Sequence, residues 1–229
     1  MREIVLDTET TGFDPQQGDR IVEIGAVELL NHMPTGKTYH QYINPQRAMP
    51  QEAFQVHGLG DDFLRDKPVF AAIADDFLEF VGGSRMVIHN ASFDMKFLNA
   101  ELGWLKKPLL PMDQALDTLT IARQKFPGSP ASLDALCRRF GIDNSSRALH
   151  GALLDSEILA EVYLEMIGGK QPDFGLSQDQ STRNGAVDIG IWRPAKRAVP
   201  LPSRITETEK AAHAAFVAKL GDKALWSKG

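Results

Sequence analysis

The sequence predicts an α/β fold, a sheet flanked by helices, followed by a linker and a short helical tail. Three patterns predict it. Short apolar, largely β-branched runs recur at 4–6, 21–27, 38–43, 86–88 and 115–116, each bounded by turn-forming or acidic residues. Between the later runs, apolar residues recur at helical spacing, as at Phe70, Ile73, Phe77 and Val81. Beyond residue 169 both periods fade into a stretch rich in Gln, Ser, Asp, Gly and Pro. At 229 residues, 43% hydrophobic and 24% charged, the chain has material for one substantial core and something smaller.

Ile4-Val5-Leu6 reads as a buried strand that runs straight into Asp7-Thr8-Glu9-Thr10-Thr11-Gly12. Strands at 21–27 and 38–43 follow. The short connections, among them the turn-rich link 31–36, imply an antiparallel meander with the first strand. Short helical pieces fall at 51–54 and 61–64. Pro68 opens a longer helix, which Gly82-Gly83 stops. The fourth strand, 86–88, ends at His89-Asn90, and Ser92 is the expected N-cap of a helix reaching Leu102. A short strand at 115–116 leads to Asp117, the expected cap of a helix through Lys125. Ser132 caps the next helix, which Gly141 closes, and a long helix covers 152–167. The expected divisions are a folded domain over 1–169, a linker over 170–202 and a tail over 203–229. In the tail, Thr206 and Glu209 have the spacing of a capping box ahead of a short helix carrying Phe216, Val217 and Leu220. A helix this small, with no core of its own, needs a partner surface.

Four carboxylates stand out against this background. Side chains alternate along a strand, so Asp7 and Glu9 point to the same side of the first one. Asp94 has Phe97, Leu98 and Leu102 on its own helix face, and Asp155 has Ile158, Leu159, Val162 and Met166. Each aspartate therefore heads an apolar stripe that faces the core. An aspartate in the first turn gains from the helix dipole on any face, so the inward choice, made twice, needs another reason. Four inward carboxylates left bare would cost several kcal/mol each, and two divalent ions such as Mg²⁺ or Mn²⁺ would compensate them. His150 precedes Asp155 on a segment flanked by Gly151. A histidine ordinarily titrates at about 6.5, which suits a general base acting on water near neutral pH.

Asp7-Thr8-Glu9, His89-Asn90-Ala91-Ser92-Phe93-Asp94 and His150-Gly151-Ala152-Leu153-Leu154-Asp155 resemble, in order, the three motifs of the DEDDh 3′–5′ exonuclease family. Within that family the runs 7–12, 52–58 and 132–137 are similar to the epsilon, or proofreading, subunits of bacterial DNA polymerase III. The resemblance covers about residues 1–168. It implies a ribonuclease-H-like fold with a mixed five-stranded sheet. It also implies metal binding by Asp7, Glu9, Asp94 and Asp155, with His150 as the catalytic base. Glu52 and His57, with Asp7, Glu9 and Asp155, would contact the terminal nucleotide of a single-stranded or frayed 3′ DNA end. Two-metal hydrolysis would release nucleoside 5′-monophosphates. Gln171-Pro172-Asp173-Phe174-Gly175-Leu176 resembles the short peptides that bind sliding clamps, through Gln171, Phe174 and Leu176. The implied partners are the polymerase alpha subunit through the tail, the sliding clamp, and a small third core subunit.

Composition narrows the alternatives. Net charge is −5, but the first 169 residues hold 24 acidic against 15 basic residues, and the rest hold 6 against 10. So acidic a body does not suit a protein that coats nucleic acid, although an enzyme meeting DNA through bound metal is compatible with it. The single cysteine, Cys137, leaves no internal disulfide. No basic-then-apolar leader and no membrane-length apolar run is present, which predicts a cytoplasmic protein without a membrane partner. An RNA-trimming nuclease of the same superfamily is the nearest competing expectation, and the long tail argues against it.

Overall fold

The computed structural model describes residues 1–145, 149–168 and 205–220. The strands are β1 (Arg2–Thr10), β2 (Ile21–Leu30), β3 (Met33–Tyr42), β4 (Arg85–Ile88) and β5 (Ala115–Asp117). They lie in the order β3-β2-β1-β4-β5. The first three pair antiparallel, as the short connections predicted, and β4 and β5 extend the sheet in parallel with β1. This is the mixed, ribonuclease-H-like sheet that the resemblance implied. β1 is its central strand, which is why Ile4, Val5 and Leu6 are all fully buried rather than alternately exposed.

Among the described residues seven α-helices belong to this unit: α1 (Gln51–His57), α2 (Asp61–Leu64), α3 (Phe70–Val81), α4 (Ala91–Trp104), α5 (Thr118–Lys125), α6 (Leu133–Phe140) and α7 (Ala152–Ile167). Ile4 and Leu6 pack with Phe70, Phe77, Met95 and Leu98 on the face covered by α3 and α4. Val5, on the opposite face, packs with Leu159 and Tyr163 of α7. Alternation continues past the core, so Asp7 and Glu9 share the α7 face and Thr8 shares the α4 face. The predicted α7 stripe proves to be two faces. Leu159 meets the sheet, while Ile158, Val162 and Met166 pack with Leu136 and Cys137 of α6. A helix covered on both sides is apolar nearly all round.

Two sequence-based expectations need correction. The link 31–36 is a two-residue turn, and β3 begins at Met33, directly paired with Leu30. Asn31 and His32 both adopt positive φ, the geometry that a tight hairpin needs, and Pro34 is tolerated because β3 is an edge strand. Ser92 is not the N-cap of α4. Asn90 takes that place in a left-handed conformation with no side-chain cap of its own. The cap is supplied from β5, where Asp117 Oδ1 accepts hydrogen bonds from Asn90 N at 2.9 Å and Leu119 N at 3.0 Å. One carboxylate thus caps α4 and α5 together.

A second compact unit contains α8 (Glu207–Leu220). Its capping box is complete, with Thr206 N donating to Glu209 Oε2 at 2.7 Å and Glu209 N donating to Thr206 Oγ1 at 3.2 Å. Phe216 and Leu220 remain exposed. The expected linker and the peptide at Gln171, Phe174 and Leu176 lie outside the described residues. No helix among the described residues is long and apolar enough to cross a membrane.

Candidate active site

The end of β1 is where the two faces of the sheet open onto one cleft. Asp7, Glu9, Asp94, His150 and Asp155 all line it. Glycine makes this meeting possible. Gly25 of β2 pairs with Asp7, and a Cβ there would lie 2.1 Å from the Leu153 backbone nitrogen. Only a bare Cα lets the first turn of α7 approach so closely. Ser156 Oγ then donates to the Gly25 carbonyl at 2.9 Å, and Ala152 N donates to Glu23 Oε2 at 3.2 Å. Glu23 is buried and its other oxygen meets His40 Nε2 at 2.7 Å. A β2 carboxylate therefore caps α7 and fixes where Asp155 projects.

Asp94 arrives from the opposite face. It is 2% exposed, and Thr8 Oγ1 donates to its Oδ1 at 2.6 Å. Burial pushes its carboxyl up to about 7, against the pull of the Thr8 hydrogen bond and with help from the negative charge of Asp117. His89, beside it in the cleft, contacts Thr118 Oγ1 at 3.0 Å. Burial lowers its pKa, opposed chiefly by the Asp117 charge, so His89 acts as a neutral hydrogen-bonding group near pH 7.

Glu9, His150 and Asp155 each bring a ligand atom to within 4.8 Å of the others. His150 Nδ1 lies 3.3 Å from Asp155 Oδ2, and the His150 ring is 48% exposed. Its backbone N donates to the Val56 carbonyl at 3.1 Å, which ties the segment to α1. The donors gathered here are mostly carboxylate oxygens, with one imidazole. That set fits hard divalent cations.

Thr8, Glu9 and Phe93 also line a second arm of the cleft, which runs under α1 and holds Glu52 and His57. His57 is 5% exposed. Its Nδ1 accepts from Leu59 N at 3.0 Å, while its Nε2 is buried with no hydrogen bond of normal geometry. Burial lowers its pKa, the Thr10 carbonyl opposing and the charge of His150 assisting, so the ring is neutral near pH 7. Every site residue expected in the folded domain thus lines one of two joined arms. Sequence reading passed over Arg123, Ser129 and Glu23, which reach the site or its supports from segments with no motif of their own.

Comparison with known proteins agrees with this geometry. Residues 4–163 match the RNase_T exonuclease family. The chain is 49% identical over 223 residues to the DNA polymerase III subunit epsilon of Rickettsia felis, covering 96% of this chain and 97% of that one. It is 45% identical over 236 residues to the subunit of the same name from Escherichia coli (strain K12), covering 98% and 97%. Among solved structures, exonuclease X in complex with 5′-overhanging duplex DNA is similar at a TM-score of 0.56 and 26% identity, over 72% of this chain and 90% of that one. The nuclease domain of 3′hExo, a DEDDh family member bound to rAMP, shares the fold at a TM-score of 0.62 and 18% identity, over 72% and 91%.

Proposed function

The chain belongs to the exonuclease family, and from that premise we propose that it is the proofreading subunit of a bacterial DNA polymerase III. It is a 3′–5′ exodeoxyribonuclease that removes mispaired terminal nucleotides as nucleoside 5′-monophosphates. The observation that carries this reading is the convergence of four carboxylates and His150 at the end of β1. Asp7, Glu9, Asp94 and Asp155 would hold two divalent ions, Mg²⁺ or Mn²⁺, which would supply a more acidic water and offset charge on the leaving oxygen.

The chain's own residues supply the rest. His150 takes the proton from the attacking water, turning between that water and the Asp155 oxygen it now faces. The new P–O bond forms as the bond to the upstream 3′-oxygen breaks, which leaves a shortened strand with a 3′-hydroxyl. Glu52 and His57 hydrogen-bond the terminal nucleotide in the α1 arm. A paired end must unpair before it enters, and unpairing costs least at a mismatch. That difference is a physical basis for proofreading.

α8 docks on the polymerase alpha subunit, and residues 171–176 bind the sliding clamp. A small third subunit completes the core. Tethering raises the effective concentration of the nuclease at the primer end, and the assembly works in the cytoplasm at the nucleoid.

The test is degradation of 3′-matched and 3′-mispaired DNA primers, and of RNA, with Mg²⁺ or Mn²⁺. Monophosphates should leave one at a time from the 3′ end, fastest from the mispaired DNA. Asp155→Ala should release none. An Asp155→Ala protein working at the normal rate would show the site to be misassigned, and preference for RNA would point to a trimming enzyme.

A further inference from the structure

We propose that the arm of the cleft between α5 and α6 carries the strand upstream of the scissile bond, with Arg123 gripping a backbone phosphate; the inference rests on the nuclease reading above. The two arms meet at Thr8, Glu9 and Phe93 but differ in charge. Among the described residues no lysine or arginine lines the α1 arm itself; of its further carboxylates, Asp14 is paired with Lys96 at 2.9 Å, Asp19 with Arg47 at 2.7 Å, and Glu52 is exposed. The α5–α6 arm holds the four site carboxylates, whose charge two divalent ions would offset, and Asp134, together with Arg123, the only lysine or arginine lining either arm among the described residues.

A strand entering this cleft is asymmetric in the same sense. Beyond the scissile phosphate on the 3′ side lies one nucleoside with no further phosphate. On the 5′ side lies one negative charge per nucleotide. With ions on the site carboxylates, the arm that offers a guanidinium suits the polyanion, and the arm with no lining cation suits the terminal nucleoside. Arg123 is exposed and has no ion-pair partner among the described residues. An exposed planar guanidinium lining the cleft is well made for a phosphate. Ser129, which lines the same arm, offers a hydroxyl donor.

Arg123 also lies in the last turn of α5, where a cation favours the helix dipole. Lys125 shares that turn but does not line the cleft. It is therefore the control.

The experiment compares a single-stranded oligodeoxynucleotide with the p-nitrophenyl ester of thymidine 5′-monophosphate, which has the scissile phosphate and no strand upstream. Both are assayed with the full chain, with Arg123→Gln, Arg123→Lys and Lys125→Gln. Arg123→Gln should lower the preference in kcat/KM for oligonucleotide over ester by about tenfold, mainly through KM, as loss of one charge-assisted contact implies. Its log KM should vary with log salt by about 0.7 less than in the parent. Arg123→Lys should recover part of the preference, and Lys125→Gln should match the parent. Equal losses on both substrates, an unchanged preference, or the same effect from Lys125→Gln would each overturn the assignment. A parent protein that cleaves neither substrate would sink the nuclease reading and this assignment together.

Discussion

Asp94 is the most constrained of the acidic side chains, 2% exposed and bonded to Thr8 across the strand end. Its raised pKa sets a sign for stability. The folded state holds a proton that an unfolded aspartate gives up near its ordinary value of 3.8, so unfolding free energy falls as pH rises from there to about 7. Protein treated with chelator should lose melting temperature from pH 5 to pH 7.5, and Mn²⁺ should restore more of it at pH 7.5 than at pH 5. A flat profile in chelator would argue against a buried, bare carboxylate. His150 makes a different prediction. Its Nδ1 faces Asp155 Oδ2 at 3.3 Å, and four carboxylates would remain to hold the ions, so His150→Ala should leave metal affinity largely intact while cutting turnover by about 10² or more. Calorimetric titration and single-turnover rates separate the two effects. The inward aspartates were legible from helical spacing because burial of Asp94 and Asp155 follows from the residues beside them. Arg123 was not, since a cation in a last helical turn already has a local reason to be there.

At the scale of elements, legibility followed the range of the interactions. Asp117, Ser132 and Gly141 end or begin helices through atoms a few residues away, and each was placed from sequence. The start of α4 was misplaced because its cap comes from Asp117, 27 residues further along, and a partner that distant leaves no mark in the local pattern. The docking of α7 on β2 was equally hidden. It depends on Gly25, which in sequence is one more glycine in a strand. Gly25→Ala should force α7 off β2, with a loss of about 1–3 kcal/mol, or about 2–12 °C in Tm. Its nuclease activity should fall further than that stability loss explains, because Asp155 moves with the helix. Activity assayed well below Tm tests this, and a normal rate there would show that Asp155 does not depend on the close approach.

For the molecule as a whole, the division between the two units predicts separable functions. Removing residues 170–229 should leave a folded nuclease and abolish co-purification with polymerase. A truncated protein that still co-purifies would move the contact to the catalytic unit. The mixed sheet needed the resemblance as well as the pattern, since short apolar runs report strands but not their neighbours. The cleft draws on residues as distant as Asp7 and Asp155 and on both faces of the sheet. No contiguous fragment short of α7 contains it. A chain emerging from the ribosome is therefore harmless to nucleic acid until its last long helix has been made and has settled, and a proteolytic remnant lacking that helix is inert.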